Sequence, residues 1–306
     1  MKLSAFSVLS LALALPLAAV MVRADSIDIG TAAPFGVLGE AGVTNTGPSV
    51  ISGSVAGSTG TPAVTGFPPG SVVPPGVLST AGVANSGPGT PFGDALAAYN
   101  YAAGLSGMSE GAASLGSGGI GGTLATALPT GVYSFSSTAV LLNGTLFLNA
   151  GANNNASWIF QIPAALTTAS ASSVEVVDTG SGPFTGTITW DVGSSATLGS
   201  TTSFLGTVIS LAGDSLDNGA TIGCGRVISL DASVTLINNT ITTPGATGGC
   251  AQTTGSGSGG SGGTIGGGGG GTIKTPEPGE LALLSFGLAA LAFLGLRKSR
   301  ARSATI

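Results

Sequence analysis

The sequence predicts a mainly β fold, an irregular β-solenoid with one long α-helix packed alongside, and three observations predict it. Through the centre of the chain, short runs rich in Val, Ile, Thr and Phe are separated by Gly, Asn and Ser, the pattern of many short strands. Gly206-Thr207-Val208-Ile209-Ser210-Leu211 is echoed 19 residues later by Gly225-Arg226-Val227-Ile228-Ser229-Leu230. A period that short suits one turn of a solenoid in which each coil stacks on the last. Charged residues make up only 7% of the chain, so its surface meets water through hydroxyls and amides.

A weaker echo sets Trp158-Ile159-Phe160-Gln161-Ile162 against Ile188-Thr189-Trp190-Asp191-Val192, 30 residues apart, so coils of unequal length are expected. One segment breaks the β pattern. Thr90-Pro91-Phe92 leads into an Ala-rich run that predicts a helix over about 94–104, started by Thr90 ahead of Pro91 or by Asp94 and ended by Gly104. Leu96, Tyr99 and Ala103 share a face by the i, i+3, i+7 rule, which directs Leu96 and Tyr99 to the core.

The ends read as processing segments. Lys2, the apolar run from Val8 to Val20 and Val22-Arg23-Ala24 form a signal peptide over 1–24, with the mature chain beginning near Asp25. The β domain then covers 25–243, and 244–274 is a Gly/Ser-rich linker of flexible composition with no side chains to bury. Residues 275–306 combine Pro276-Glu277-Pro278, an apolar helix over 281–296 and a basic tail of Arg297, Lys298, Arg300 and Arg302. That order resembles the PEP-CTERM sorting signal, which implies an exosortase-type processing enzyme as partner. Export to the cell surface or medium follows, with membrane attachment, transient or permanent, through the C-terminal helix.

Between Asp25 and Ile273 the only basic residue is Arg226, and the chain has no His. A nucleic-acid partner, which requires several cations against phosphates, is excluded. Without His the commonest general base and metal ligand is missing, and no enzyme activity, cofactor or metal is expected. Asp178, Asp191, Asp214, Asp217 and Asp231 are read as turn caps rather than as catalytic carboxylates. Arg226 either neutralises a nearby Asp or reaches solvent. Cys224 and Cys250, in an exported chain, read as a disulfide, with separate thiols as the alternative. Gly116-Ser117-Gly118-Gly119-Ile120-Gly121 fits a dinucleotide pattern by letter but lacks a βαβ setting, so it is a Gly-rich loop.

A set of motifs runs in order along the domain: Gly30-Thr31-Ala32-Ala33-Pro34-Phe35, Val43-Thr44-Asn45-Thr46-Gly47-Pro48, Val64-Thr65-Gly66-Phe67-Pro68-Pro69-Gly70 and Ala98-Tyr99-Asn100. Pro129-Thr130-Gly131-Val132-Tyr133, Trp158-Ile159-Phe160-Gln161-Ile162, Val192-Gly193-Ser194-Ser195-Ala196-Thr197-Leu198-Gly199, the two Gly-x-Val-Ile-Ser-Leu copies and Asn238-Asn239-Thr240-Ile241-Thr242 complete it. Together they resemble the ice-binding-protein-like family of microbial discontinuous β-solenoids. The resemblance implies a right-handed solenoid of triangular cross-section, a flanking helix, an N-terminal segment folded back so that first and last coils meet, and adsorption to ice through one flat Thr/Ser/Ala-rich face. The expected partner is the ice crystal surface; the alternative is a surface protein that holds matrix polysaccharide or other cells.

The physics agrees with ice. Stacked strands repeat every 4.7–4.9 Å or so, close to oxygen repeats in ice. Thr presents a rotamer-restricted methyl and hydroxyl that hold water in an ordered array. The expected face draws on Thr197, Thr201 and Thr207, on Ser210 with Ser229, and on Thr221, Ser233 and Thr235, extended by Thr44, Ser52 and Ser54. On the repeated strand, alternation permits either Thr207 with Ile209 or Val208 with Ser210 to point outward.

Overall fold

In the computed structural model the described residues are 26–245, apart from 60–62, 112, 137–138 and 182. The expected signal peptide, Cys250, the expected linker from residue 246 onward and the expected sorting segment lie outside them. Among the described residues no helix is long and apolar enough to cross a membrane.

The strands pair in parallel throughout and form three ladders. Successive short strands Ile120–Gly121, Ser114–Gly116, Val140–Asn143, Leu166–Thr168, Ala196–Leu198, Asp214–Leu216, Val234–Ile237, Val43–Thr46 and Val64–Thr65 make a nine-stranded sheet, called here the short-strand ladder. A second ladder, on the helix side, runs through Met108–Glu110, Gly131–Phe135, Ser157–Ile162 and Thr187–Val192, then the later halves of Ser203–Ser210 and Thr221–Ser229, to Phe35–Gly39, Ser54–Ser58 and Leu78–Val83. The third contains Thr145–Asn149 and Ser173–Val177, the earlier halves of the same two long strands, and Thr240–Thr242, Val50–Ser52 and Ser71–Val73.

The two long strands pass from the third ladder to the helix side at Gly206 and Gly225, where the register shifts between Leu205 and Thr207. Gly206 has φ +99, and a side chain on Gly225 would run into the Gly206 carbonyl, so both positions need glycine. Both sequence echoes are cross-strand neighbours: Thr207 pairs with Arg226 and Trp158 with Ile188.

The chain does not wind from one end to the other. It forms an inner coil over 35–58 and an end coil over 64–83. The helix follows, and coiling resumes at Met108 and works back until Thr221–Thr242 lies against the first coil. The junction is a continuous parallel pairing, with Val37 opposite Val227, Val43 opposite Val234 and Thr240 opposite Val50. The first and last coils thus meet through the folded-back N-terminal segment.

Inward positions of the helix-side ladder change from aromatic to aliphatic along the stack, from Tyr133, Phe160 and Trp190 to Val208, Val227, Val37 and Val55. Phe160 stacks on Trp190 at 4.2 Å between ring centroids, and Trp190 meets Phe204 at 4.8 Å. The polar ends of the buried rings are satisfied, since Trp190 Nε1 donates to the Leu205 carbonyl and Trp158 Nε1 to that of Leu128.

The helix spans Pro91–Ala103, with Thr90 as N-cap accepting from the Gly93 amide and Pro91 in the first turn. It begins three residues earlier than the Ala-rich run suggested, and its inner face differs in part from the expected one. Phe92, Ala95, Ala98 and Ala102 are buried and Tyr99, half-buried, packs against the same apolar cluster as expected, whereas Leu96 is 45% exposed. Small residues face the sheet because the helix lies close on an apolar row of Ile209, Ile228, Leu38 and Ala56, where a leucine would hold it away. Gln161, projecting from the ladder, donates through Nε2 to the carbonyls of Ala102 and Leu105 and so satisfies the end of the helix.

Candidate ice-binding face

Each side of the stack offers a different surface. The helix covers much of the helix-side ladder. On the third ladder the outward residues include Glu175 and Phe147, opposite each other, and several hydroxyls are already committed. Ser173 Oγ donates to Thr145 Oγ1 at 2.8 Å, Thr221 Oγ1 to the Thr202 carbonyl and Ser71 Oγ to that of Ser49.

The short-strand ladder differs. Its four-residue strands turn Thr46, Ile237 and Asn143 outward near their ends, and the registers align a central outward row of eight residues, Thr65, Thr44, Thr235, Ser215, Thr197, Thr167, Leu141 and Ser114. Inward neighbours such as Val43, Val234, Leu216, Leu198, Leu166 and Leu142 are buried. Thr44, Thr65, Thr167 and Leu141 are exposed and the other four half-buried. None of the eight is charged. None of the seven hydroxyls has a hydrogen-bond partner among the described residues, so all are available to water.

Two devices keep this row in step. Where the short strands turn toward the third ladder, Ala171, Thr201 and Asn238 adopt left-handed conformations with φ 60, 58 and 52. Each is tied to the next coil, the Ala171 amide to the Ser200 carbonyl, Thr201 to Asn218 and Asn238 to Thr46. The second device lies beneath the row. Asp214 points inward, buried, and accepts from the Ala196 amide at 2.8 Å and from Ser210 Oγ at 2.7 Å. Burial pushes its pKa up to about 7 against these two hydrogen bonds, which favour the ionised form.

Of the expected face residues, Thr44, Thr197 and Thr235 stand in the outward row. Thr201 sits at the turn and donates to the Ser200 carbonyl, and Ser233 is half-buried in the turn leading into its strand. Ser52 and Thr221 belong to the third ladder. Four positions are corrected. Ser54 is buried and accepts from the Val77 amide, and Thr207 is buried and accepts from Arg226. Ser229 donates to the Ala212 carbonyl and Ser210 to Asp214, both inside a corner. Neither alternative for the repeated strand reaches solvent, because the helix and N-terminal segment cover its outer side and the corner encloses Ser210. Thr65, Thr167 and Ser215 were missed, although Thr167 precedes Thr197 by the same 30 residues that relate Trp158 to Ile188.

The carboxylates are also revised. Asp191 and Asp214 lie in strands and are buried, not at turns. Asp191 faces the helix, with Oδ1 unpartnered, and burial pushes its pKa up to about 7. Arg226 neither pairs with an Asp nor reaches solvent: it donates to the carbonyls of Phe35 and Ala33 and to Thr207 Oγ1. Cys224 is disulfide-bonded, and Cys250 lies outside the described residues. Among the described residues no group of three or more His, Cys, Asp or Glu side chains could hold a metal.

The profile of a family described as ice-binding-like matches residues 37–242. An ice-binding protein of Nostoc sp. (strain HG1) is 40% identical over 220 residues, 72% of this chain and 75% of that protein. The chain belongs to the ice-binding-like family. A second relative in it, the ice-binding protein of Flavobacterium frigoris (strain PS1), is 32% identical over 230 residues, 72% of this chain and 77% of the relative. Among solved structures, an ice-binding protein from the Antarctic ascomycete Antarctomyces psychrotrophicus aligns with TM-score 0.59 and 33% identity over 71% of this chain and 98% of that one. Another, from an Antarctic biological consortium, gives TM-score 0.61 and 29% identity over 73% and 93%.

Proposed function

We propose that this ice-binding-like protein adsorbs to ice through the short-strand ladder and thereby inhibits ice growth or recrystallisation. The observation that carries the reading is the row from Thr65 to Thr167, six successive hydroxylated residues in register with no hydrogen-bond partner among the described residues. Their strand-to-strand repeat of roughly 4.8 Å is set by the parallel hydrogen bonds beneath. Charged side chains hold hydration shells that compete with a crystalline arrangement, and here the buried Asp214 is turned away from the row. A right-handed coil of triangular cross-section, the form implied by the family resemblance, would make this side planar.

Microscopy of ice growing in the purified, exported chain tests the proposal. Faceted, slowed crystals and suppressed recrystallisation at micromolar protein are expected. Rounded, unshaped growth with unaltered coarsening would refute it.

The chain is further proposed to be exported and sorted through residues 275–306, on the strength of the Pro276-Glu277-Pro278 motif, apolar run and basic tail. Intact-mass measurement of the protein recovered from the cell surface checks this: processing near the motif shortens the chain, whereas retention of Arg297 to Arg302 opposes it.

A further inference from the structure

Away from the short-strand ladder, a cavity of about 570 Å³ lies where the helix-side and third ladders meet. Ile27, Ile29, Phe184, Thr189, Thr207 and Arg226 are among its lining residues, and none of the described residues that line it is acidic. The volume falls within the range of small-molecule sites.

Arg226 is the anomaly. It is 7% exposed, yet its acceptors are two backbone carbonyls and a hydroxyl, all neutral. Burial lowers its pKa to about 10, which leaves it a cation at neutral pH. Buried charges are ordinarily paired, and a guanidinium carries five N–H donors in a fork suited to a carboxylate. Three of the five are used, by Nε and one each from the two terminal nitrogens. The cavity therefore combines a cation with unused donors and apolar walls of Ile27, Ile29 and Phe184.

We infer that this corner cavity binds a carboxylate with a short apolar body, the anion on Arg226 and the body against Ile27, Ile29 and Phe184.

Calorimetric titration of the exported chain with hexanoate and phenylacetate, each set against its neutral amide, tests the inference. The acids should bind at least tenfold more tightly than the amides, and Arg226→Met should abolish the preference. Should Arg226→Met fail to fold, Phe184→Ala serves instead, weakening phenylacetate several-fold while leaving acetate unchanged. Equal affinity for acid and amide in the parent protein would overturn the inference.

Discussion

Replacing Thr197 by Tyr puts a bulky ring in the outward row between Thr167 and Ser215. Neighbouring rows are roughly 4.8 Å apart, so a ring standing on the middle strand holds a flat crystal surface off the strands on both sides. Contact would persist only at the separated ends, Thr65, Thr44 and Thr235 on one side and Leu141 and Ser114 on the other. Removing the Thr167 and Thr197 methyls from contact costs about 0.8 kcal/mol each, and their combined loss corresponds to a little more than tenfold in affinity. Thr197 is half-buried at the outer surface and Tyr is equally suited to a strand, so folding stability should change by no more than about 0.5 kcal/mol. The assay pairs thermal hysteresis and ice-affinity partitioning with a circular-dichroism melt. Thr221→Tyr, on the third ladder, is the control and should leave activity intact. If Thr197→Tyr remains fully active, or if Thr221→Tyr is the variant that loses activity, the assignment of the face is wrong.

Three further outcomes follow from the same coordinates. Trp190→Ala removes a fully buried ring that stacks on Phe160 and meets Phe204 at a tilt, and should destabilise by about 3–5 kcal/mol, read from chemical denaturation. On the helix, Ala98→Leu should cost about 1–3 kcal/mol by overpacking the apolar row beneath. Leu96→Ala should stay within about 0.5 kcal/mol, and the reverse order would restore the helix face expected from the sequence. Asp191 and Asp214 have pKa values raised to about 7 by burial, so the folded state binds more protons than the unfolded one between about 4 and 7. Their contribution to stability is fully present below about pH 4 and is lost as pH rises through about 7. The melting temperature should therefore be higher at pH 5 than at pH 8. No histidine titrates in that window, and the Asp191→Asn, Asp214→Asn double variant should flatten the difference.

The β character, stacked coils and capped helix were all legible in the residues, because each is a local property. Strand runs follow from Val, Ile and Thr between turn residues, and the spacings of 19 and 30 state directly which residues become neighbours across strands. Thr90 and Pro91 mark the start of the helix by their own chemistry. Which hydroxyls meet water was not legible in the same way. Alternation divides a strand into two faces but does not say which is covered, and on the repeated strand the answer is both: Val208 and Val227 fill the interior while Ile209 and Ile228 lie under the helix. That covering depends on the chain reversing direction after residue 83, a long-range event with no local signature. Part of the row of free hydroxyls was decided at the same level: Thr167, Thr197, Ser215 and Thr235 align through successive coils, but Thr44 and Thr65 come from the far end of the chain. Those two join the row only where the last coil closes against the first.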